Sequence, residues 1–292
     1  MRSRKTAVLV LALTCAVGGV GLAAGSGAFA GIPPFPKRMP EELADEARSG
    51  SMAAEKAALP RSAPAQYVPP NPLPSDRFVF TRIRYGGGGY GGYGRFRRGG
   101  SSWSHDYPRG DYNLSRLLHE LTTMNVELEG TNVFEIGDPE MFRHPMIYIS
   151  EPGFWTMSDE QAGILREYVL KGGFLIFDDF EGYQIENMWH QLKKALPEAE
   201  LVRIEGVHPI FQTFFPMGDE EIYIPHPLVN VIPVYYGVFE DNDPTKRMYA
   251  IVNHNNDIAE YWEWSGTNEL PIDYTNDAYK LGINYVIYAM TH

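Results

Sequence analysis

The chain has 292 residues with a formal net charge of −12, and hydrophobic residues make up 44% of it. This acidity argues against nucleic acid and anionic membrane surfaces as partners, because both are negatively charged. Cys15 is the single cysteine, which excludes an internal disulfide and a zinc-binding cysteine pair.

The first 30 residues have the order of a secretory signal peptide. Three basic residues precede an apolar stretch from residue 7 to 24, and residues 28–30 read Ala-Phe-Ala, a small-x-small cleavage pattern. An uncleaved membrane anchor is the alternative, although glycines and a threonine interrupt the apolar stretch. Cleavage after Ala30 would remove Cys15 and bring the net charge to −15. We therefore expect an exported protein, periplasmic or extracellular, without a later membrane span.

Residues 31–75 are predicted to form an Ala/Pro-rich linker, since six prolines lie between residues 60 and 74. The globular domain is expected to cover residues 76–292. Near its start, nine of the fifteen residues from 86 to 100 are glycine. This segment contains the spacing of a dinucleotide-binding loop, but no helix begins directly after it, as that motif requires. Its arginines and aromatics resemble an RNA-binding segment, which export argues against. We interpret it as a surface loop.

The remaining pattern alternates short apolar strands with amphipathic helices. Ser158 and Gln161 have the spacing of a capping box, which predicts a helix that ends before Gly172. The strands are expected at 78–85, 146–150, 174–177, 201–204 and 248–252, and the helices from 111, 158–171, 186–196 and 275–289. Strands that are apolar on both faces are typical of a parallel sheet covered on both sides. The pattern predicts a flavodoxin-like α/β domain, doubly wound, with a mainly parallel sheet and an irregular, aromatic-rich insertion over residues 209–240.

Seven short motifs, in the same order across residues 76–292, resemble the bacterial domain of unknown function 4159. They are Asp106-Tyr107-Pro108, Glu151-Pro152-Gly153, Gly172-Gly173-Phe174 leading to Asp178-Asp179-Phe180, His208-Pro209-Ile210-Phe211, Asn253-His254-Asn255, Trp262-Glu263-Trp264 and Asn284-Tyr285-Val286. The resemblance implies a fold similar to the class I glutamine amidotransferase-like superfamily and implies no activity. Amidotransferases of that superfamily place a cysteine nucleophile on a turn after a central strand. The corresponding stretch here, 174–180, has no cysteine, so glutaminase activity is not expected.

In open parallel sheets, ligands bind at the carboxyl ends of the strands. The catalytic candidates at these ends are Asp178, Asp179, His208 and His254. Asp179 with His208 and His254 could bind a divalent metal ion, or a carboxylate and a histidine could act as a general base. The alternative is that these aspartates only cap turns. The pattern requires no cofactor, and a divalent metal is the candidate.

A second set of residues is predicted to bind a ligand. Aromatic rings beside carboxylates suit sugars, and the same rings could instead form a small aromatic core. The set is Asp106, Asp111, Glu151, Asn253, Asn255, Trp262 and Trp264.

Three functions remain open at the level of sequence. The first is a non-catalytic binding or interaction module of the bacterial cell envelope, with an envelope protein or a carbohydrate as partner. The second is a metal- or carboxylate-dependent hydrolase that acts on a carbohydrate or cell-wall substrate. The third is a purely structural partner domain. The sequence contains neither a serine nucleophile elbow nor a phosphate-binding loop, so no motif of these enzyme classes favours a different activity.

Overall fold

The computed structural model describes residues 68–86 and 102–292. The predicted signal peptide, residues 31–67 of the predicted linker and residues 87–100 of the glycine-rich loop lie outside the described residues.

The described residues form one seven-stranded, mainly parallel sheet in a mixed α/β fold. Its strands are β1 (Thr81–Ile83), β2 (Asn132–Phe134), β3 (Met146–Ser150), β4 (Phe174–Asp178), β5 (Val202–Ile204), β6 (Val234–Phe239) and β7 (Met248–His254). The strand order is β2-β1-β3-β4-β7-β6-β5. The first five strands in this order run parallel, and β6 is antiparallel to both β7 and β5. This arrangement is consistent with a flavodoxin-like fold.

Helices pack against both faces of the sheet. They are α1 (Arg109–Leu121), α2 (Asp159–Leu170), α3 (Gln184–Ala195), α4 (Asp219–Ile222), α5 (Ile258–Glu263) and α6 (Ile272–Thr291). Because neighbouring strand residues point to opposite faces, β3 contributes Ile147 and Ile149 to one hydrophobic core and Met146 and Tyr148 to the other. Helices α2 and α3 cover the first face, and α1, α5 and α6 cover the second.

The capping box at the start of α2 is confirmed, since Ser158 accepts from Gln161 N while the Gln161 side chain accepts from Ser158 N. The predicted strand over 78–85 is shorter than expected, with β1 limited to Thr81–Ile83. The sequence did not predict β2, β6 or α5. Strand β6 lies inside the region interpreted as an irregular insertion, where aromatic residues on both strand faces obscure the alternation.

The start of the described chain lies against the β2 edge of the sheet. The Asn71 side chain donates from Nδ2 to Val133 O at 3.2 Å, and its Oδ1 accepts from Val133 N at 2.8 Å. Pro72 packs on Gly130 so closely that a Cβ at residue 130 would lie 2.6 Å from the Pro72 ring. The free side of β2 is therefore hydrogen-bonded by a side-chain amide.

Candidate functional site

Sharp turns follow three neighbouring strands at one edge of the sheet. Glu151 after β3, Asp179 after β4 and Asn255 after β7 have φ values of 44°, 62° and 59°. Asp106, in the loop before α1, has a φ of 61°. A left-handed conformation in a residue other than glycine costs about 1–3 kcal/mol and is often found at functional sites. The turns thus direct attention to the carboxyl ends of β3, β4 and β7.

Seven ionisable side chains meet at this edge, and we call them the strand-end cluster. Within the described residues they form three overlapping groups, and in each group one potential ligand atom per residue lies within 4.8 Å of the others. The groups are His105, Asp106, Asp257 and Glu260; His105, Glu151 and Asp179; and Asp179, His226 and Asp257. Any two groups share one residue, so the cluster is continuous.

His105 lies between two carboxylates of the cluster. Its Nδ1 is 2.7 Å from Asp179 Oδ2 and 3.3 Å from Asp106 Oδ2. Burial alone would lower the pKa of His105, but Asp106 and Asp179 raise this pKa well above its ordinary value. The His105 side chain is 20% exposed, whereas its Nδ1, which faces the two carboxylates, is buried.

Asp257 is the most enclosed carboxylate of the cluster. It is 0% exposed and caps helix α5, where its Oδ1 accepts from Glu260 N at 3.1 Å. Its Oδ2 is buried and accepts no hydrogen bond from the described part of the chain. Burial raises the pKa of Asp257 well above its ordinary value, and the charges of Asp179 and Asp106 add to this shift. A buried carboxylate oxygen without a donor is costly, and a proton, an ordered water or a bound cation can each offset that cost.

Arg82, on β1, fixes the loop that carries His105. Its guanidinium is fully buried and forms a two-pronged ion pair with Asp111, with Nη2 2.6 Å from Oδ1 and Nε 3.3 Å from Oδ2. The same guanidinium donates from Nη1 to the carbonyls of Trp103 at 3.1 Å and His105 at 2.7 Å. Asp111, predicted as a ligand-binding residue, is therefore an ion-pair partner in the core.

Asp178 has a structural role beside the cluster. It accepts from Tyr148 Oη at 2.7 Å, Asn253 Nδ2 at 3.1 Å and the backbone N–H groups of Ile258 and Ala259 at 3.1 and 3.2 Å. It thereby ties β4 to β3, β7 and the start of α5. Burial raises the pKa of Asp178 to about 6. Of the adjacent pair predicted from the sequence, Asp179 enters the strand-end cluster and Asp178 holds the scaffold.

The two histidines predicted as metal ligands are placed outside the three groups. His208 Nδ1 accepts from Ile210 N at 3.2 Å at the start of a short 3-10 helix, and its ring packs on Phe239. His254 Nε2 donates to Gly182 O at 3.0 Å. Burial lowers the pKa of each imidazole to about 4. Both rings support the backbone, and His105 and His226 are the histidines of the cluster.

The predicted asparagines hold the strand ends in place. Asn253 is fully buried and also accepts from Tyr285 Oη at 3.0 Å. Asn255 Oδ1 accepts from Gly182 N at 2.8 Å, and its Nδ2 donates to Ile232 O at 2.9 Å. These contacts connect the turns after β4 and β7.

The two aromatic candidates differ in exposure, since Trp262 is buried and Trp264 is partly exposed. Trp262 is 1% exposed and donates from Nε1 to Ala278 O at 2.9 Å, so its ring cannot stack on a sugar. Trp264 lies under the guanidinium of Arg109, 5.3 Å from the ring centroid. The aromatic core proposed as the alternative describes Trp262 better than the binding surface does.

Four cluster residues were not selected from the sequence: His105, His226, Asp257 and Glu260. Asp257 is the last residue of the polar run 253–257 that follows β7, so the sequence contains a signal that could have identified it. The three-residue spacing between Asp257 and Glu260 indicates a helix cap, but only if residues 258–263 are known to form helix α5. His226 precedes a proline in a loop, and nothing local distinguishes it from His208.

The family model described as Domain of unknown function (DUF4159) matches residues 79–290. The chain belongs to this family. No curated protein matches the DUF4159 chain. Of the helices in residues 68–86 and 102–292, none has both the length and the apolar character needed to cross a membrane.

Proposed function

We propose that this DUF4159 protein is an exported binding module of the bacterial cell envelope whose strand-end cluster holds a divalent metal ion. The observation that carries the proposal is Asp257, a fully buried carboxylate whose Oδ2 has no hydrogen-bond donor among the described residues. The signal-peptide pattern of residues 1–30 supports export.

The charge of the cluster supports a cation as the missing partner. Asp106, Asp179, Asp257 and Glu260 are each less than 10% exposed. Burying several carboxylates together is unfavourable unless positive charge compensates them. Arg82, the buried guanidinium behind the loop, is already paired with Asp111. The one positive charge of a protonated His105 cannot balance these four carboxylates when they are ionised. A divalent ion would supply further positive charge.

The ligand atoms indicate the kind of ion. Imidazole nitrogens suit Zn²⁺ and Fe²⁺, carboxylate oxygens suit Mn²⁺, and Ca²⁺ and Mg²⁺ prefer sites made of oxygen ligands alone. The group of His105, Asp106, Asp257 and Glu260 combines one nitrogen with three carboxylates. We expect Zn²⁺ and Mn²⁺ to bind more tightly than Ca²⁺ or Mg²⁺.

A thermal-unfolding experiment on the chelator-treated full chain tests the proposal. An ion at about 100 times its dissociation constant stabilises a protein by about 2.7 kcal/mol. For a domain of this size, that corresponds to a rise in melting temperature of about 5–10 °C. The shift should disappear in Asp257→Asn, which retains an oxygen to cap Glu260 N. Asp138→Asn is the matched control, because Asp138 also caps a helix, accepting from Glu140 N, and lies outside the three groups. Absence of a shift with all four ions would refute the proposal.

A metal-dependent hydrolase is the second candidate, favoured by the solvent-facing side of the cluster. His105 and Glu151 are partly exposed. Phe154 and Tyr183 are 46% and 62% exposed on the turns that follow β3 and β4. Exposed rings beside a polar site suit a carbohydrate, because C–H faces pack on aromatic rings. A bound metal would lower the pKa of its water ligand towards 7, and Glu151 would be the nearby base.

Release of reducing ends from cell-wall oligosaccharides by the metal-loaded chain tests this second candidate. Activity that requires the metal and is lost in Glu151→Gln, with metal binding retained, would support hydrolysis. Metal binding without turnover on any of these substrates would leave the binding module as the function.

We also propose that the fold is doubly wound and related to the glutamine amidotransferase-like superfamily. Two features support the relation: the helices on both sheet faces, and the sharp turn at Asp179 after the central strand β4. That turn carries a carboxylate, so the proposal includes no glutaminase activity.

A further inference from the structure

We propose that the strand-end cluster holds two divalent ions, bridged by the carboxylate of Asp257. This inference rests on the proposed metal site and adds a second ion to it. The first ion would be bound by His105, Asp106, Glu260 and Asp257, and the second by Asp179, His226 and Asp257.

The way in which the three groups overlap selects this pairing. A carboxylate has two oxygens and can bind two metal ions at once, whereas a neutral imidazole binds one ion through one nitrogen. The groups that share His105 therefore cannot both be filled. The first and third groups share only Asp257, and together they use six of the seven cluster residues.

The geometry of Asp257 fits a bridging position. One ligand atom of Asp257 is within 4.8 Å of His105, Asp106 and Glu260 ligand atoms, and one is within 4.8 Å of those of Asp179 and His226. Two-metal sites have their ions about 3.5–4 Å apart, a spacing that so compact a set of ligands can accommodate. Asp257 Oδ2, buried and without a donor among the described residues, is the oxygen available for the bridge.

The balance of charge supports two ions over one. Asp106, Asp179, Asp257 and Glu260 carry four negative charges when ionised, and all four are buried. With neutral histidines, two divalent ions neutralise all four carboxylates, whereas one ion leaves two of them to be neutralised by protons. Uncompensated charge in a buried site is strongly disfavoured.

Binding of the second ion changes a hydrogen bond of His226. Its Nδ1 accepts from Leu228 N at 3.2 Å, and its Nε2 lies 4.0 Å from Glu181 Oε2. Coordination through Nε2 moves the imidazole proton to Nδ1, so the bond from Leu228 N is lost. A single hydrogen bond contributes little beside the affinity of a metal site, and Leu228 is a partly exposed residue whose N–H could bind water instead.

Mn²⁺ binding to the chelator-treated full chain tests the inference. Equilibrium dialysis with elemental analysis gives the number of ions per chain, and electron paramagnetic resonance shows whether two Mn²⁺ ions are coupled. We expect two ions per chain and a coupled spectrum. In His226→Gln the second ion should bind about 100-fold more weakly or be lost, and the spectrum should become that of an isolated Mn²⁺ ion.

Two controls separate local effects from general ones. His190→Gln alters an exposed histidine on α3. Glu186→Gln removes a carboxylate from the first turn of α3, as Glu260→Gln does in α5, but Glu186 is exposed whereas Glu260 is buried. Both controls should retain two coupled ions, and Glu260→Gln should weaken the first ion.

The outcomes distinguish this inference from the proposed function. No bound ion refutes both. One ion per chain, with His226→Gln unchanged, refutes the second ion and leaves the proposed function intact. Two ions without magnetic coupling refute the Asp257 bridge.

Discussion

Replacing Asp178 by alanine should unfold the carboxyl edge of the sheet more readily than any change in the strand-end cluster. The substitution leaves four buried donors without their acceptor: Tyr148 Oη, Asn253 Nδ2 and the N–H groups of Ile258 and Ala259. A buried donor left unsatisfied costs about 1–3 kcal/mol. Removing a buried ionised group recovers part of this amount, so we expect a net loss of about 3–5 kcal/mol. Total stabilities of about 5–15 kcal/mol make this a severe loss.

Urea unfolding followed by circular dichroism measures the effect. Asp178→Asn is the conservative comparison, because it keeps one acceptor and the Tyr148 hydroxyl can rotate to accept from the new amide. Its loss should be smaller, about 1–2 kcal/mol. Metal binding by folded Asp178→Asn should remain within a fewfold of the unsubstituted chain. A loss below 1 kcal/mol in Asp178→Ala, together with abolished metal binding, would refute the scaffold role and return Asp178 to the functional residues.

Three further predictions concern the surrounding structure. The pKa of Asp178 is raised to about 6 in the folded chain, so between pH 4 and pH 6 the folded chain holds a proton that the unfolded chain has released. The contribution of Asp178 to the free energy of unfolding should therefore fall by about 3 kcal/mol from pH 4 to pH 6. Urea titrations of Asp178→Asn should lack this fall. Arg82→Met should lower the free energy of unfolding by about 3–5 kcal/mol, because it leaves Asp111 buried and unpaired. Adding Asp111→Leu should restore much of the stability, but it should not restore the metal affinity, because the carbonyls of the loop that carries His105 still lack their donor. Gly282→Ala should lower the melting temperature, because a Cβ at residue 282 would lie 2.6 Å from the Trp262 ring. The cost of this overpacking, about 1–3 kcal/mol, exceeds the gain in helix propensity from glycine to alanine.

The fold could be predicted where local sequence and tertiary contacts agree. The strands at 146–150 and 174–177 are apolar on both faces because helices cover both faces, and the pattern is visible in the sequence. Ser158 and Gln161 mark a helix start through contacts within four residues. Strand β2 has only three residues and depends on pairing with β1, a contact that no local pattern reveals.

The sequence points to the carboxyl ends of the strands, where the strand-end cluster lies, but it identifies only some of the residues in this cluster. Asp179 was expected at a strand end, and its left-handed turn takes it out of the strand and into the cluster. His105 reaches Asp179 from 74 positions earlier because Arg82 holds its loop, an arrangement determined by a buried side chain rather than by spacing. His208 and His254 carry the same imidazole as His105 and His226, so residue type could not separate the supporting histidines from the cluster.

The contact between Asn71 and Val133 covers part of an edge through which one sheet can pair with another. A strand at the edge of a sheet exposes N–H and C=O groups that can recruit another chain into a continuous sheet. The Asn71 side-chain amide occupies both groups of Val133, as a neighbouring strand would, without offering a further edge of its own. At the opposite edge, β5 has only three residues and carries exposed Arg203. Asn71→Ala is therefore expected to increase aggregation at high protein concentration, even where the folded chain remains stable. Residue 71 would then limit association through the β2 edge rather than contribute to the stability of the fold.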